Sequence, residues 1–189
     1  MQSCLDAAAP PARADRVDEV RTLRVATRHP IELIDITDTV TDLVCQSQLW
    51  SGQVLLFSRH TTAAVRIQED EPLLLKDFRD FLACLAAPNA YYRHNDFRVR
   101  THHMHPDERP NGHAHCLQLL LGSSEALPVI EGKLALGVWQ RLFLIELDGP
   151  RSEREVLVQL SGTSYPAGVN ASSTTTSARH ERSVGHFVD

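Results

Sequence analysis

The sequence predicts an α+β fold: one compact domain whose antiparallel sheets form a sandwich with two or three helices. Three observations carry this. Segments alternating apolar and polar residues, the strand signature, are grouped early and late in the chain. Helical spacing governs the middle. The regular strand–helix alternation of a doubly wound fold is missing.

Taken in order, "TLRVATR" (22–28) and "IELIDIT" (31–37) alternate as two strands, punctuated by His29-Pro30. "TDTVTDLVCQSQL" (37–49) has the stripe Val40, Leu43, Val44, with Thr37 or Asp38 placed to cap a helix. "QVLLFSRH" and "TTAAVRIQ" follow as strands, which puts His60 inside strand sequence. "EDEPLLLKDFRDFLACLA" (69–86) is the clearest helix. Its acidic start suits the helix dipole, and Pro72 suits an early position. Leu74, Leu75, Phe78, Phe81, Leu82 and Leu85 repeat at helical spacing, and Cys84 is expected to be buried with them. A polar stretch from 88 to 112 holds one short candidate strand, "FRVRT". "NGHAHCLQLLLG" (111–122) is a short helix with Asn111 as candidate cap. "LPVIEGKLALG" is a hairpin turning at Glu131-Gly132. "VWQRLFLIELDG" and "REVLVQLSG" are long core strands joined by "DGPRSE".

Residues 16–163 form the expected domain. Residues 1–15 and the Ser/Thr-rich 164–189 are expected to be disordered tails, having little apolar surface to offset ordering entropy. With 19 basic against 24 acidic residues and a formal charge of −5, there is no electrostatic footprint for nucleic acid or an anionic membrane. No apolar run approaches a membrane span, and the N-terminus lacks the pattern of a signal peptide. The expected location is cytoplasmic. The four cysteines form no CxxC pair, so they are expected as free thiols.

Histidine is the conspicuous chemistry-bearing residue, with ten in the chain. His60, His94, His102, His103, His105, His113 and His115 lie in or near polar segments. Neutral imidazoles from separate segments can hold zinc with an open fourth position. No HExxH motif marks such a centre, and the 102–105 group also fits a solvated loop. A packed, hydrogen-bonded role serves His60 equally well. Glu69 can orient an imidazole as a supporting carboxylate, although acidic residues also suit a helix start. One of Trp139 and Gln140 can line a pocket while its neighbour packs. Arg151 and Arg154 can bind phosphate or stand exposed. No GxSxG elbow, Walker A loop or GxGxxG loop occurs.

Four separated stretches, "RHTTAAVRIQEDEPLLLKDFRDFL", "YRH", "NGHAH" and "LPVIEGKLALGVWQRLFLIELDGPR", together resemble the YjbQ family, the secondary thiamine-phosphate synthases. The likeness spans roughly residues 20–162 in the family's order. It implies a small α+β fold assembled as a homotrimer, with a histidine pocket for a divalent ion, zinc by preference. His60, His94 and His115 fall on the family histidines, and Glu69, Asn111 and Trp139-Gln140 on other motif positions. Glu69, Asn111 and Gln140 are thereby candidate catalytic residues; His113 stands beside the metal set. The implied reaction is a weak synthase activity on small phosphorylated substrates. A thiazole phosphate displaces pyrophosphate from a pyrimidine diphosphate. A metal-dependent hydrolase of a small phosphorylated metabolite, or a non-catalytic metal- or metabolite-binding trimer, are the alternatives.

Overall fold

The computed structural model describes residues 15–165, so the two expected tails lie almost wholly outside the described residues. The elements run β1 (Arg16–Val25), β2 (Glu32–Asp35), α1 (Thr37–Gln46), β3 (Leu49–Ser58), β4 (Ala63–Gln68), α2 (Pro72–Leu85) and a single tight turn at Arg93–Asn95. Then come α3 (Gly112–Leu121), β5 (Ser124–Ile130), β6 (Lys133–Leu134), β7 (Arg141–Glu146) and β8 (Arg154–Ser164). Five strands form a large antiparallel sheet in the order β1-β8-β3-β5-β6, and three form a small one, β2-β7-β4. The predicted α+β sandwich is present.

Strand β7 explains the layering. Its run "LFLIE" is apolar at every position but the last, as expected of a strand buried on both faces. Leu142 and Leu144 face the large sheet and join Val54, Leu56, Val156 and Val158. Phe143 and Ile145 face the other way, onto Leu82 of α2 and Ala114 and Leu117 of α3. The small sheet is therefore the middle layer, between the large sheet and two helices.

Local chemistry sets the element boundaries. Helix α2 begins at Pro72 because Glu71, in extended backbone, accepts hydrogen bonds from the Leu73 and Leu74 N–H groups at 2.9 and 2.6 Å. Glu69 and Asp70 thus precede the helix. Helix α1 is started by Asp35, not by Thr37 or Asp38: its Oδ1 accepts from the Thr37 N–H and hydroxyl at 2.8 and 2.6 Å. The Thr37 oxygen in turn accepts the Leu142 N–H at 2.7 Å, tying α1 to β7. Glu131 and Gly132 have φ of 52° and 75°, the left-handed pair that a two-residue hairpin needs. Gly52 and Gly162 face each other across β3 and β8, and a Cβ on Gly52 would lie 2.1 Å from the Ser161 carbonyl oxygen.

Several expectations are corrected. His60 lies in the link between β3 and β4, not within a strand, because those strands belong to different sheets and the chain must cross between layers there. "FRVRT" forms turns around Asp96, whose carboxylate binds the Arg98 N–H and guanidinium. Trp139 and Gln140 precede β7 in a turn that Gln140 closes by accepting the Gly137 N–H at 2.7 Å, and Trp139 is exposed. Cys84 is exposed, as are Phe81 and Leu85: α2 buries only the Leu82 side of its broad apolar stripe. Among the described residues no helix is long and apolar enough to cross a membrane.

Candidate functional site

The chemistry-bearing residues gather at the end of the small sheet where β7 runs out. Glu146, its last residue, is wholly buried. A bare carboxylate there would be costly, and four neighbours compensate it. Arg154 donates Nε at 2.7 Å and its Nη2, Thr27 donates its hydroxyl at 2.9 Å, and the Leu147 and Asp148 N–H groups bond to Oε1 at 3.0 and 2.8 Å. Burial alone pushes the Glu146 carboxyl up. The Arg154 and backbone hydrogen bonds, the Arg154 charge and the Thr27 hydroxyl together hold it below the ordinary value. Arg154, read from sequence as an exposed or phosphate-binding residue, is instead buried in this pair and also donates to Thr62 Oγ1 at 3.0 Å.

His60 leans on the same structure. Its Nε2 accepts the Glu155 N–H at 2.7 Å, so the neutral ring carries its proton on Nδ1. Burial first, then the Arg154 charge, lowers its proton affinity against the opposing pull of Glu146 and Glu155.

Two residues beyond Glu146, the buried Asp148 organises the start of α3. It accepts the Asn111 side-chain amide at 3.0 Å and pairs with Arg151. Arg109 donates to its backbone carbonyl at 2.7 Å and stands 3.6 Å from its carboxylate. Asn111 thus occupies the cap position of α3 without capping it with its side chain. Two buried atoms here, Asn111 Oδ1 and His113 Nδ1, have no hydrogen-bond partner among the described residues. Two guanidinium groups share the one Asp148 carboxylate, whereas Arg154 with Glu146 and Arg100 with Glu108 each balance one to one. The surplus positive charge of the site therefore lies at Arg109 and Arg151.

One turn into α3, His115 meets His94 edge to face, with ring centroids 4.6 Å apart. His94 comes from the Arg93–Asn95 turn, locked to α3 by the Asn95 side chain accepting the Gly112 N–H at 2.8 Å. Arg100 Nη1 lies 3.2 Å from His94 Nε2, and Glu108, paired with that arginine, lies 3.4 Å from it. Burial, then the neighbouring His94, lowers the proton affinity of His115; Asp148 and Glu108 oppose this. His113 is lowered too, by burial, against Asp148 and the Leu147 backbone. The site sets imidazoles of lowered proton affinity, His60, His113 and His115, beside fixed guanidinium groups.

The structure brings together His94 and His115, sets Asn111 beside them through Asp148, and places His60 against β8 behind Glu146. It does not bring Glu69 or Gln140 to them within one chain. Ala63 pairs with Glu146 and Gln68 with Arg141, so Glu69 and Gln140 flank the opposite end of the small sheet. A six-residue strand at roughly 3.3 Å per residue sets that end about 20 Å away. Among the described residues no three His, Cys, Asp or Glu side chains converge to hold a metal ion. His94 and His115, with ring centroids 4.6 Å apart, are the two expected ligands that the structure brings together. The remaining candidate, His60, offers no free lone pair: Nε2 accepts the Glu155 N–H and Nδ1 carries the proton. Sequence reasoning missed Glu146, Asp148, Arg100, Glu108 and Arg109. The legible signal was Glu146 itself, a carboxylate inside the apolar run "RLFLIELDG".

A small antiparallel α+β protein with a histidine–arginine centre at one sheet end is the class that fold and site define. The particular family follows from comparison: residues 21–163 match the model described as UPF0047 protein YjbQ-like, and the chain belongs to that family. It is 40% identical to a UPF0047 protein of Archaeoglobus fulgidus over 74% of this chain and 98% of the relative. It is 37% identical to a UPF0047 protein of Methanothermobacter thermautotrophicus, covering 74% and 90% of the two chains. Among solved structures, a YbjQ-like protein of unknown function from Sulfolobus solfataricus superposes with a TM-score of 0.70 at 36% identity, covering 78% of this chain and 99% of that one.

Proposed function

We propose that this chain is an enzyme of small phosphorylated metabolites, with a weak thiamine-phosphate synthase activity that joins a thiazole phosphate to a pyrimidine diphosphate and releases pyrophosphate. The observation that carries the reading is the His94–His115 pair, with Arg100 against His94 and the charge-surplus cluster of Arg109 and Arg151 around Asp148. Phosphate oxygens seek planar guanidinium forks, and leaving pyrophosphate needs its growing charge stabilised. His115, kept neutral by burial, is able to take a proton at its ring nitrogen. His94 and His115 would hold a divalent ion, zinc by preference; His60 would have to give up the Glu155 N–H bond at its Nε2 to join them. Such an ion would supply Lewis-acid stabilisation of phosphate charge.

The expected homotrimer is supported by apolar side chains left exposed on the outer helices: Leu73, Phe81 and Leu85 of α2 with Leu119 and Leu120 of α3. Glu69 and Gln140, remote from the histidines of their own chain, would act only at a neighbouring subunit's centre.

The test is turnover of the two thiamine precursors by purified protein. Product should form faster than without protein, and His94→Ala and His115→Ala should remove the gain. Product formed at the uncatalysed rate, or unchanged in both variants, removes the synthase reading.

A further inference from the structure

We infer that the cavity between α2 and the helix-facing side of the small sheet binds a small organic cation, an amine carried on an aromatic or aliphatic body. It is separate from the His94–His115 centre, neither of whose rings lines it. The cavity holds about 460 Å³. That lies within the roughly 300–1,000 Å³ of small-molecule pockets.

The cavity exists because of Arg66. Alternation along β4 turns Ala64 and Arg66 toward the helices. Where this layer would take an apolar side chain, Arg66 reaches aside and donates to Glu125 of β5 at 2.8 Å. Its Nη2 lies against the end of α3, where a Cβ on Gly122 would stand 3.0 Å away. Helix α2 therefore touches down only at Leu82, the single buried residue among its fourteen. The space between Leu33, Ile145, Phe78, Phe81 and Leu121 stays unfilled. Apolar walls left against water cost free energy that a bound apolar body recovers.

Charge decides which body. Arg66 spends its positive charge on Glu125 and on the carbonyl end of α3, whose last turn has no basic residue of its own. Asp77 is the other charged residue of the wall, and its carboxylate has no ion-pair partner among the described residues. The uncompensated charge of the cavity is therefore negative. Phe81 lies four residues beyond Asp77, one turn along the same face of α2. An ammonium group placed there meets the carboxylate and the face of an aromatic ring together. The body behind it packs on Phe78, Leu33 and Ile145.

The experiment is calorimetric titration of the full chain with three probes of one shape: naphthylmethylammonium, neutral naphthylmethanol and anionic naphthylacetate. Amide chemical shifts locate the binding. The cation should bind once per chain, shift Leu33, Phe81 and Leu121, and bind at least about tenfold more tightly than the anion. Asp77→Asn, a change at an exposed residue, should weaken the cation by about three- to fivefold, the reach of one exposed ion pair. It should leave the neutral probe unchanged. Leu121→Trp, which fills the cavity, should weaken all three. Equal binding of the three probes, or Asp77→Asn without effect on the cation, overturns the inference. So does a folded chain that binds none of them, including one whose cavity is closed by a second copy seated over Phe81. No step of this test depends on thiamine-phosphate turnover, so failure of the synthase reading leaves it standing.

Discussion

Replacing Glu146 by Gln keeps its shape and removes its charge. Arg154, itself buried, would keep its guanidinium with no counter-ion. Breaking a buried pair from one side costs about 3–5 kcal/mol, since the surviving charge stays desolvated. For a domain of this size each kcal/mol shifts the melting temperature by about 2–4 °C, so a fall of roughly 6–20 °C is expected. Thermal unfolding followed by circular dichroism reads it directly. The carboxyl has a folded-state proton affinity below its ordinary value of 4.5, so its contribution is full above that pH and lost as pH falls through the lower folded value. The parent should therefore show an acid-side loss of stability that Glu146→Gln lacks. A Glu146→Gln/Arg154→Met double variant should recover most of the loss, because neither charge is then buried and the amide oxygen can still accept the backbone N–H groups. A melting temperature for Glu146→Gln within about 2 °C of the parent would refute the reasoning, since even the low end of this estimate lies outside that margin.

Two further outcomes rest on the same geometry. His60, His113 and His115 all have lowered proton affinity, so below their ordinary value of 6.5 the unfolded chain binds more protons than the folded one. The melting temperature should fall between about pH 7.5 and 5.5, and His113→Gln should flatten part of that slope; a flat profile in the parent contradicts it. Gly52→Ala forces a Cβ onto the Ser161 carbonyl at 2.1 Å and the Gly162 Cα at 2.7 Å, both backbone atoms. A loss of at least about 1–3 kcal/mol is expected in denaturant unfolding, and a variant as stable as the parent would mean the two strands separate freely there.

Much of the fold could be read from residues whose local chemistry is self-sufficient. Pro72 behind an acidic cap announces α2, and Glu131-Gly132 announces its hairpin, because a helix start and a two-residue turn are decided within a few residues. His60 and Trp139 were misplaced for the opposite reason. Alternation ran through "FSRHTT" and "VWQRLF", but where each strand stops depends on which sheet its neighbour joins. Cys84 shows the same limit: helical spacing identifies an apolar stripe but not how much of it another layer covers. In the site, His94 and His115 were legible as motif residues. Their organiser Asp148 was not, since Asn111, Arg109 and Arg151 reach it from separate segments.

The position of β8 has a consequence for how the chain is made. This last strand lies between β1, the first, and β3, pairing Arg16 with Thr163 and Leu56 with Val158. While the polypeptide is being synthesised, β1 has no partner until nearly the whole domain has emerged. Such distant pairings make folding slow and leave the early strands waiting with open edges. A chain cut before residue 154 would lack the strand that joins β1 to the large sheet, and also Arg154, the counter-ion of Glu146. Completion of the sheet and completion of the site are therefore one event, which waits for β8.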